Sequence, residues 1–410
     1  MSTPIILDTT GHRLYEQMDE LRAGGPAVRI VMPQGVTGWS VSRGDIARKL
    51  LRDPRISKDA RKSWPDYQPW SIPWLAPWVD VISQFTSDGA DHARLKGLVG
   101  KAFTPARIEA MRPAVEALVD RILDEVEAQA QGGDGDGDGE AVDLRAAFSY
   151  QVPTRVICDL FGVPEDQRPA MLRVIDTLLD AGTSVEQDQT TRTDMFAAMN
   201  HLIDTKRGTP GDDMTSLLLR QHEDEDRLTH DELVSTLVLM IGAGSETVVA
   251  LLNHAVLELL SHPDQLAAVL ADPARWNDVI DETLRQHPPI MHLPLRYATE
   301  DIDLGDGVTI PKGAPVLIGF GGHGRDQGAN PGPDNFRIDR EDRQHLAFGH
   351  GIHYCLGAPL ARLEAGVALP RIFARFPQLR LATPQTPLLR RPSFIGNDYQ
   401  DVPVVPGPAA

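Results

Sequence analysis

The chain has 410 residues, 41% hydrophobic and 24% charged, an ordinary composition for a globular protein that can bury a large core. Its 40 basic side chains face 58 acidic ones, a net charge of −18, which argues against a nucleic-acid surface dense in Lys and Arg. There is no run of about 18 or more apolar residues to span a membrane. The two cysteines, Cys158 and Cys355, make no disulfide framework.

The opening segment MSTPIILDTTGHRLYEQMDEL has neither a basic n-region nor an apolar h-region, so a cytoplasmic protein without an anchor is expected. Residues 27–42 hold two short apolar runs around Pro33-Gln34-Gly35 and predict a β-hairpin, followed by a helix over 43–53. Residues 57–88 are irregular. Trp64, Trp70, Trp74 and Trp78 fall there, and Pro65, Pro69, Pro73 and Pro77 forbid a regular helix. This is a loop pinned by its aromatics, a loop lining an apolar pocket, or both.

From Asp91 to Gln129 the pattern is helical, broken at Thr104-Pro105, where Thr104 can cap the second helix. Residues 131–139 are low in complexity. They lack the spacing and closing Glu of a calcium loop, so a surface loop is expected. Helices are predicted over 142–161, 165–180 and 187–206. The short connection Ala181-Gly182-Thr183-Ser184 is a candidate moving lid.

Leu228 to Leu260 opens on the capping box Thr229-His230-Asp231-Glu232 and continues for about 30 residues without proline, roughly 45 Å of helix. Its middle is apolar on nearly every face, as in a helix that crosses a core. Glu246 and Thr247 sit there beside Gly242 and Gly244. Mid-helix glycines weaken a helix, so either another helix packs on them or a small molecule lies against the backbone. Two more helices follow over 263–287, with Glu282 and Arg285 spaced to pair on one face. Short strands are expected from Leu293 to Phe320, irregular chain over 321–347, a helix from just after Cys355 to about Phe376, and strand-like pieces in the tail. The chain thus predicts a mainly α body with a small β-rich lobe drawn from about 27–60 and 293–320, as one domain over 1–410.

The segment His345 to Pro359 is the most informative. Cys355 stands at a helix start, where free N–H groups and the helix dipole favour a thiolate. Gly349, Gly351 and Gly357 permit a tight backbone that presses on a flat ligand, and Phe348 lies seven residues before the cysteine. A buried free cysteine is one reading. A zinc site using His350, His353 and Cys355 lacks a fourth ligand at suitable spacing. Thiolate ligation of haem iron suits the loop better.

Phe348-Gly349-x-Gly351-x-His353-x-Cys355-x-Gly357 resembles in full the haem-ligand signature of the cytochrome P-450 superfamily. Ala243-Gly244-Ser245-Glu246-Thr247 is similar to the oxygen-activating motif of that family's central helix, and Glu282-x-x-Arg285 to its core ion pair. Asp88 to Lys96 resembles the haem-propionate helix, and Pro333 to Phe336 the meander before the cysteine loop. The order holds over roughly residues 20–400. Two positions depart from the pattern: Lys96 stands where the family usually has Arg, and Asn335 where a meander Arg usually joins the Glu282–Arg285 pair.

The resemblance implies a triangular helical body with the long central helix over haem b (iron protoporphyrin IX), in a soluble actinobacterial-type monooxygenase. Cys355 would be the axial ligand, packed by Phe348. His92, Lys96, Arg296 and His353 would hold the propionates. Glu246 and Thr247 would deliver protons to O2, with electrons from NAD(P)H through a ferredoxin and its reductase. Substrate contacts would come from Trp78, Val81, Phe85, Leu178, Leu179, Met240, Ala243, Ile290, Met291, His292, Leu293 and Ile395. Their apolar character implies a hydrophobic small molecule such as a steroid, macrolide or other secondary metabolite. Of these, His292 could orient a substrate oxygen. A same-fold oxidative coupling enzyme and a non-catalytic haem sensor are the alternatives. A monomer is expected, without nucleic acid or membrane. Arg94, Lys96, Lys101, Arg107, Arg343 and Arg362 flank the cysteine side and predict a basic patch for an acidic ferredoxin.

Overall fold

The structure, a computed structural model, describes residues 3–101, 103–131, 140–178, 185–223 and 228–409. The low-complexity stretch 132–139 and the proposed lid at 181–184 lie outside the described residues, as do Leu179 and the side chain of Leu178.

The predicted hairpin forms. Val28–Val31 pairs antiparallel with Thr37–Val41, and Gln34 and Gly35 turn the chain with φ of 58° and 78°. The next helix is shorter than predicted, Gly44–Leu50. The hairpin belongs to a mixed sheet ordered Ile5–Ile6, Val28–Val31, Thr37–Val41, Pro315–Gly319, His292–Ala298 and Ile56–Ser57. The β-rich lobe is therefore built from both ends of the chain, as expected, with Ile5–Ile6 added.

One predicted helix is wrong at its start. Over 142–161 the chain first makes the strand Val142–Asp143, paired with Pro403–Val405, then a π-helical turn, Arg145–Ser149, and only then the helix Gln151–Leu160. The Asp143 carboxylate accepts from Arg145 N and Val402 N. Pairing with the distant tail overrides local helix propensity here.

His230–Ser261 runs through the helical core with both halves of its capping box made. It is long and apolar enough to cross a membrane, but most of it is buried inside the protein. The flanking helices Arg112–Gln131, Gln151–Leu160, Trp276–Gln286 and Ala358–Arg375 pack around it through one shared apolar cluster. At Gly244 an added Cβ would meet Ile157 Cδ1 at 2.5 Å, so this glycine lets the Gln151–Leu160 helix approach closely. Gly242, Ala243 and Gly244 also border a cavity. Both explanations of the mid-helix glycines hold together.

The 57–88 stretch contains only single helical turns. Trp64 stacks on Tyr297, Trp74 meets Phe394 edge-on, and Trp78 tilts against Phe85. The aromatics pin the loop, and two of them line the cavity.

The Glu282–Arg285 pair is fully buried and bidentate, at 2.7 and 2.8 Å. A second guanidinium joins it from Arg340, 3.2 Å from Glu282 Oε1. Asn335 therefore does not leave the cluster incomplete. The meander folds back so that Arg340, five residues on, reaches Glu282, while the Asn335 carbonyl accepts from Arg285 and Arg340.

Candidate active site

The cysteine loop is shaped by its glycines. Gly349 and Gly351 have φ of 72° and 78°, and a Cβ at Gly351 would lie 2.6 Å from Leu51 O. Cys355 N donates to Phe348 O at 2.9 Å, closing the loop below the helix Ala358–Arg375. Cys355 borders a cavity of about 280 Å³ and is exposed. Burial pushes the thiol pKa up. The N–H groups of Gly357 and Ala358, and then Lys96, pull against it without overcoming it. The N–H groups at the helix start favour the anion, while burial opposes it.

At the cavity edge stands a positive cluster. Arg296 is buried and its side chain has no hydrogen-bond or ion-pair partner among the described residues; burial draws its guanidinium down to about 10 against the opposing pull of Asp88. The His92 and His353 rings lie 4.4 Å apart. Burial lowers both, and His353 reaches about 4, so the rings are neutral near pH 7. His353 Nε2 is 3.4 Å from Asp88 Oδ1. Burial raises the Asp88 carboxyl, but hydrogen bonds from His353, Ser57 and Lys58 N outweigh it and hold the carboxylate low. Lys58, a residue without sequence signal, is fully buried; its Nζ donates to Pro294 O at 3.0 Å and lies 3.7 Å from the Phe85 centroid. Lys96 borders the cavity as well, and its Nζ donates to Ile352 O on the cysteine loop.

A thiol on one wall, an unpartnered buried guanidinium and two neutral imidazoles fit a flat iron group bearing two carboxylates. They do not fit zinc. The described residues contain no cluster of three or more His, Cys, Asp or Glu suited to a metal ion.

The central helix forms the opposite wall. Thr247 Oγ1 donates to Ala243 O at 2.9 Å. Glu246 turns away from the main cavity and accepts from Arg145 at 2.9 Å and Arg391 at 3.4 Å. Arg145 also holds Asp398 at 2.8 Å. Glu246, Thr247, Arg391, Ser393, Asn397 and Asp398 line a second chamber of about 180 Å³, and Thr247, Pro289 and Ile290 border both spaces.

Of the expected substrate contacts, Trp78, Phe85, Met240, Ala243, Ile290 and Leu293 line the main cavity. Val81 does not, because it is buried in the helical core. Met291 packs on Leu14 and Met18 and meets Gly321. Ile395 sits in the cluster of Trp74 and Phe394, and its carbonyl accepts from Met291 N. His292 is buried beside Phe394, off the cavity. Burial alone takes it to about 4, so it is a neutral core residue.

Glu364, on the Ala358–Arg375 helix, borders the cavity, yet neither carboxyl oxygen has a hydrogen-bond partner among the described residues. Burial raises its pKa well above 4.5. Above that value the unfolded chain has lost a proton that the folded one keeps, so rising pH favours unfolding. Glu364→Gln removes this term. The variant should gain stability over wild type as pH rises, at a slope approaching about 1.4 kcal/mol per pH unit. Denaturant melts of both proteins from about pH 5 to about pH 8 test this; a constant difference would mean that the carboxyl ionises in the fold.

The predicted basic patch is mostly compensated. Arg94 pairs with Glu232, Arg107 with Asp212, Arg343 with Asp278 and Arg362 with Asp281.

A sequence model of the family described as Cytochrome P450 matches residues 73–272 and 276–394. The chain is 42% identical over 405 residues to 2-hydroxy-5-methyl-1-naphthoate 7-hydroxylase of Streptomyces carzinostaticus, covering 98% of this chain and 97% of that one. Its fold is similar to CYP154A1 of Streptomyces coelicolor A3(2), with TM-score 0.91, 43% identity and 98% and 99% of the two chains covered. It is also similar to testosterone-bound CYP154C4 of Streptomyces sp. ATCC 11861, with TM-score 0.93, 37% identity and full coverage of both chains. A cysteine loop that closes one wall of an apolar cavity, and likeness in sequence and fold along nearly the whole length, lead to one assignment: the chain belongs to the cytochrome P450 family and is a haem-thiolate monooxygenase.

Proposed function

We propose that the protein hydroxylates a hydrophobic, ring-containing secondary metabolite of polyketide, macrolide or steroid type, using haem b, O2 and two electrons from NAD(P)H through a ferredoxin and its reductase. The observation that carries this reading is the cavity itself: Cys355 on one wall, Thr247 on the other, and apolar side chains between. The hydroxylation of a fused-ring naphthoate by one relative, and the testosterone held by another, support the substrate class.

In this reading Cys355 would bind the haem iron, Phe348 would pack beside it, and Arg296, His92 and His353 would hold the propionates. When bound, the haem supplies dioxygen activation and C–H oxidation, which amino-acid side chains cannot perform. Thr247 Oγ1, whose own proton goes to Ala243 O, offers its lone pairs at the cavity wall to hold a water in place. The Glu246 carboxylate passes protons inward from the second chamber, and Arg391, at its more exposed end, orders that route. The aromatics Trp78 and Phe85 keep bulk water out. On the cysteine loop Ile352 is 58% exposed, which supports docking of the electron donor there.

The test is turnover with ferredoxin, reductase and NADPH under isotopically labelled dioxygen. Incorporation of one labelled oxygen into a ring substrate is expected; a coupled product without new oxygen would overturn hydroxylation. In Thr247→Ala, substrate binding should persist while product per NAD(P)H falls by roughly one to two orders of magnitude and hydrogen peroxide rises. Unchanged coupling would remove Thr247 from the proton route.

A further inference from the structure

Arg145 serves two carboxylates at once. Its Nη2 is 2.9 Å from Glu246 Oε2, and its Nε is 2.8 Å from Asp398 Oδ2. The fold brings them together from distant segments. The strand Val142–Asp143 pairs with the tail strand Pro403–Val405, and the π-helical turn that follows sets Arg145 beside Asp398, 253 positions away. Glu246 and Asp398 both line the second chamber, which meets the main cavity at Thr247. All three side chains are largely buried, Arg145 at 11%, Asp398 at 8% and Glu246 at 4% exposure.

The two carboxylates are held differently. Asp398 is fixed at both oxygens, one by Arg145 and the other by Asn253 Nδ2 at 2.8 Å. Glu246 meets Arg145 and, more loosely, Arg391 at 3.4 Å through the same oxygen. To carry a proton, Glu246 must take one up from the second chamber, which removes its charge and its hold on Arg145. A buried guanidinium left without a counter-charge would oppose that step. Asp398 stays on Arg145 when Glu246 lets go, so no uncompensated cation is left behind.

We propose that Asp398 is a positioning residue for proton delivery. By keeping a counter-charge on Arg145, it frees Glu246 to accept a proton, leave the guanidinium and pass the proton to the water held at Thr247. One proton enters from the second chamber and one leaves at Thr247, so Glu246 returns to Arg145 as a carboxylate. This rests on the monooxygenase reading above and deepens it. Asp398 acts through Arg145, without touching the main cavity.

Two measurements on the holoenzyme test this. In urea unfolding, Asp398→Asn and Glu246→Gln should each have a modest effect, because the other carboxylate still balances Arg145. The double variant should raise the unfolding equilibrium constant about tenfold beyond the product of the two single effects. Simply multiplicative effects, or loss of the fold in Asp398→Asn alone, would mean that the two carboxylates do not share Arg145 and would overturn the proposal. The second measurement uses testosterone as the probe and compares electrons from NADPH that end in hydrogen peroxide with those that end in water and product. In Asp398→Asn this ratio should rise about tenfold, and its solvent deuterium isotope effect should grow. In Arg145→Gln/Asp398→Asn, where the cation is gone as well, the ratio should fall back toward that of wild type, which damage to the fold would not do. An unchanged ratio in Asp398→Asn, or no recovery in that double variant, would overturn the role of Asp398 and leave the monooxygenase reading standing; the carbon monoxide spectrum of each variant reports on that reading separately. A wild type that turns all its electrons into peroxide would overturn the proton route through Glu246 and this inference together.

Discussion

The Cys355→Ala protein, reduced in the presence of carbon monoxide, is expected to lose the strongly red-shifted absorption of thiolate-ligated haem and all monooxygenase turnover. The reason is positional. Cys355 is the cysteine that borders the cavity, on a loop whose path takes Gly349 and Gly351 through positive φ. Cys158 is the control. It is packed in the helical core and does not line the cavity, and burial raises its thiol to about 11, so it is inert. Cys158→Ala should retain the band. Persistence of the band in Cys355→Ala would place the ligand elsewhere.

The second large effect falls on stability. Glu282→Gln keeps the side-chain size but removes the carboxylate that holds Arg285 and Arg340. Both guanidiniums are buried, at 1% and 8% exposure, and some of their donors reach only backbone carbonyls. Two buried cations would then lack a counter-charge. Breaking such a cluster costs about 3–5 kcal/mol. Arg337 gives the contrast. Its backbone N–H also reaches Glu282, but its side chain pairs with exposed Asp339. Arg337→Gln should therefore change stability by no more than about 0.5 kcal/mol. Chemical denaturation of the two variants measures the difference. Equal stability would mean that the buried cluster contributes nothing beyond packing.

Patterns carried by a few neighbouring residues were legible without the structure. The cysteine loop, the capping box at Thr229, the pair Glu282–Arg285 and the run 228–260 each depend on local spacing, glycine freedom or helical periodicity. Those forces act within a turn or two of chain, so the residues themselves are enough. The hairpin at 28–41 belongs to the same group.

The polar partners of the site were not legible. Arg145 reaches Glu246 across 101 positions of chain, and Arg391 reaches it across 145. Lys58 lies in an irregular loop with no periodicity to say which way it points. Arg340 replaced the guanidinium missed at Asn335 only because the meander doubles back. The substrate face was half legible for a related reason. Simple alternation along His292–Ala298 would put Leu293 and Arg296 on opposite faces, yet the register shifts between them and both reach the cavity. The sequence alone thus determined the helical frame, the thiol and its chemistry, because local sterics and hydrogen bonding set them. Only the tertiary structure decided which charges meet Glu246, which guanidinium completes the buried cluster and which side chains face the substrate, because those depend on packing between segments far apart in the chain.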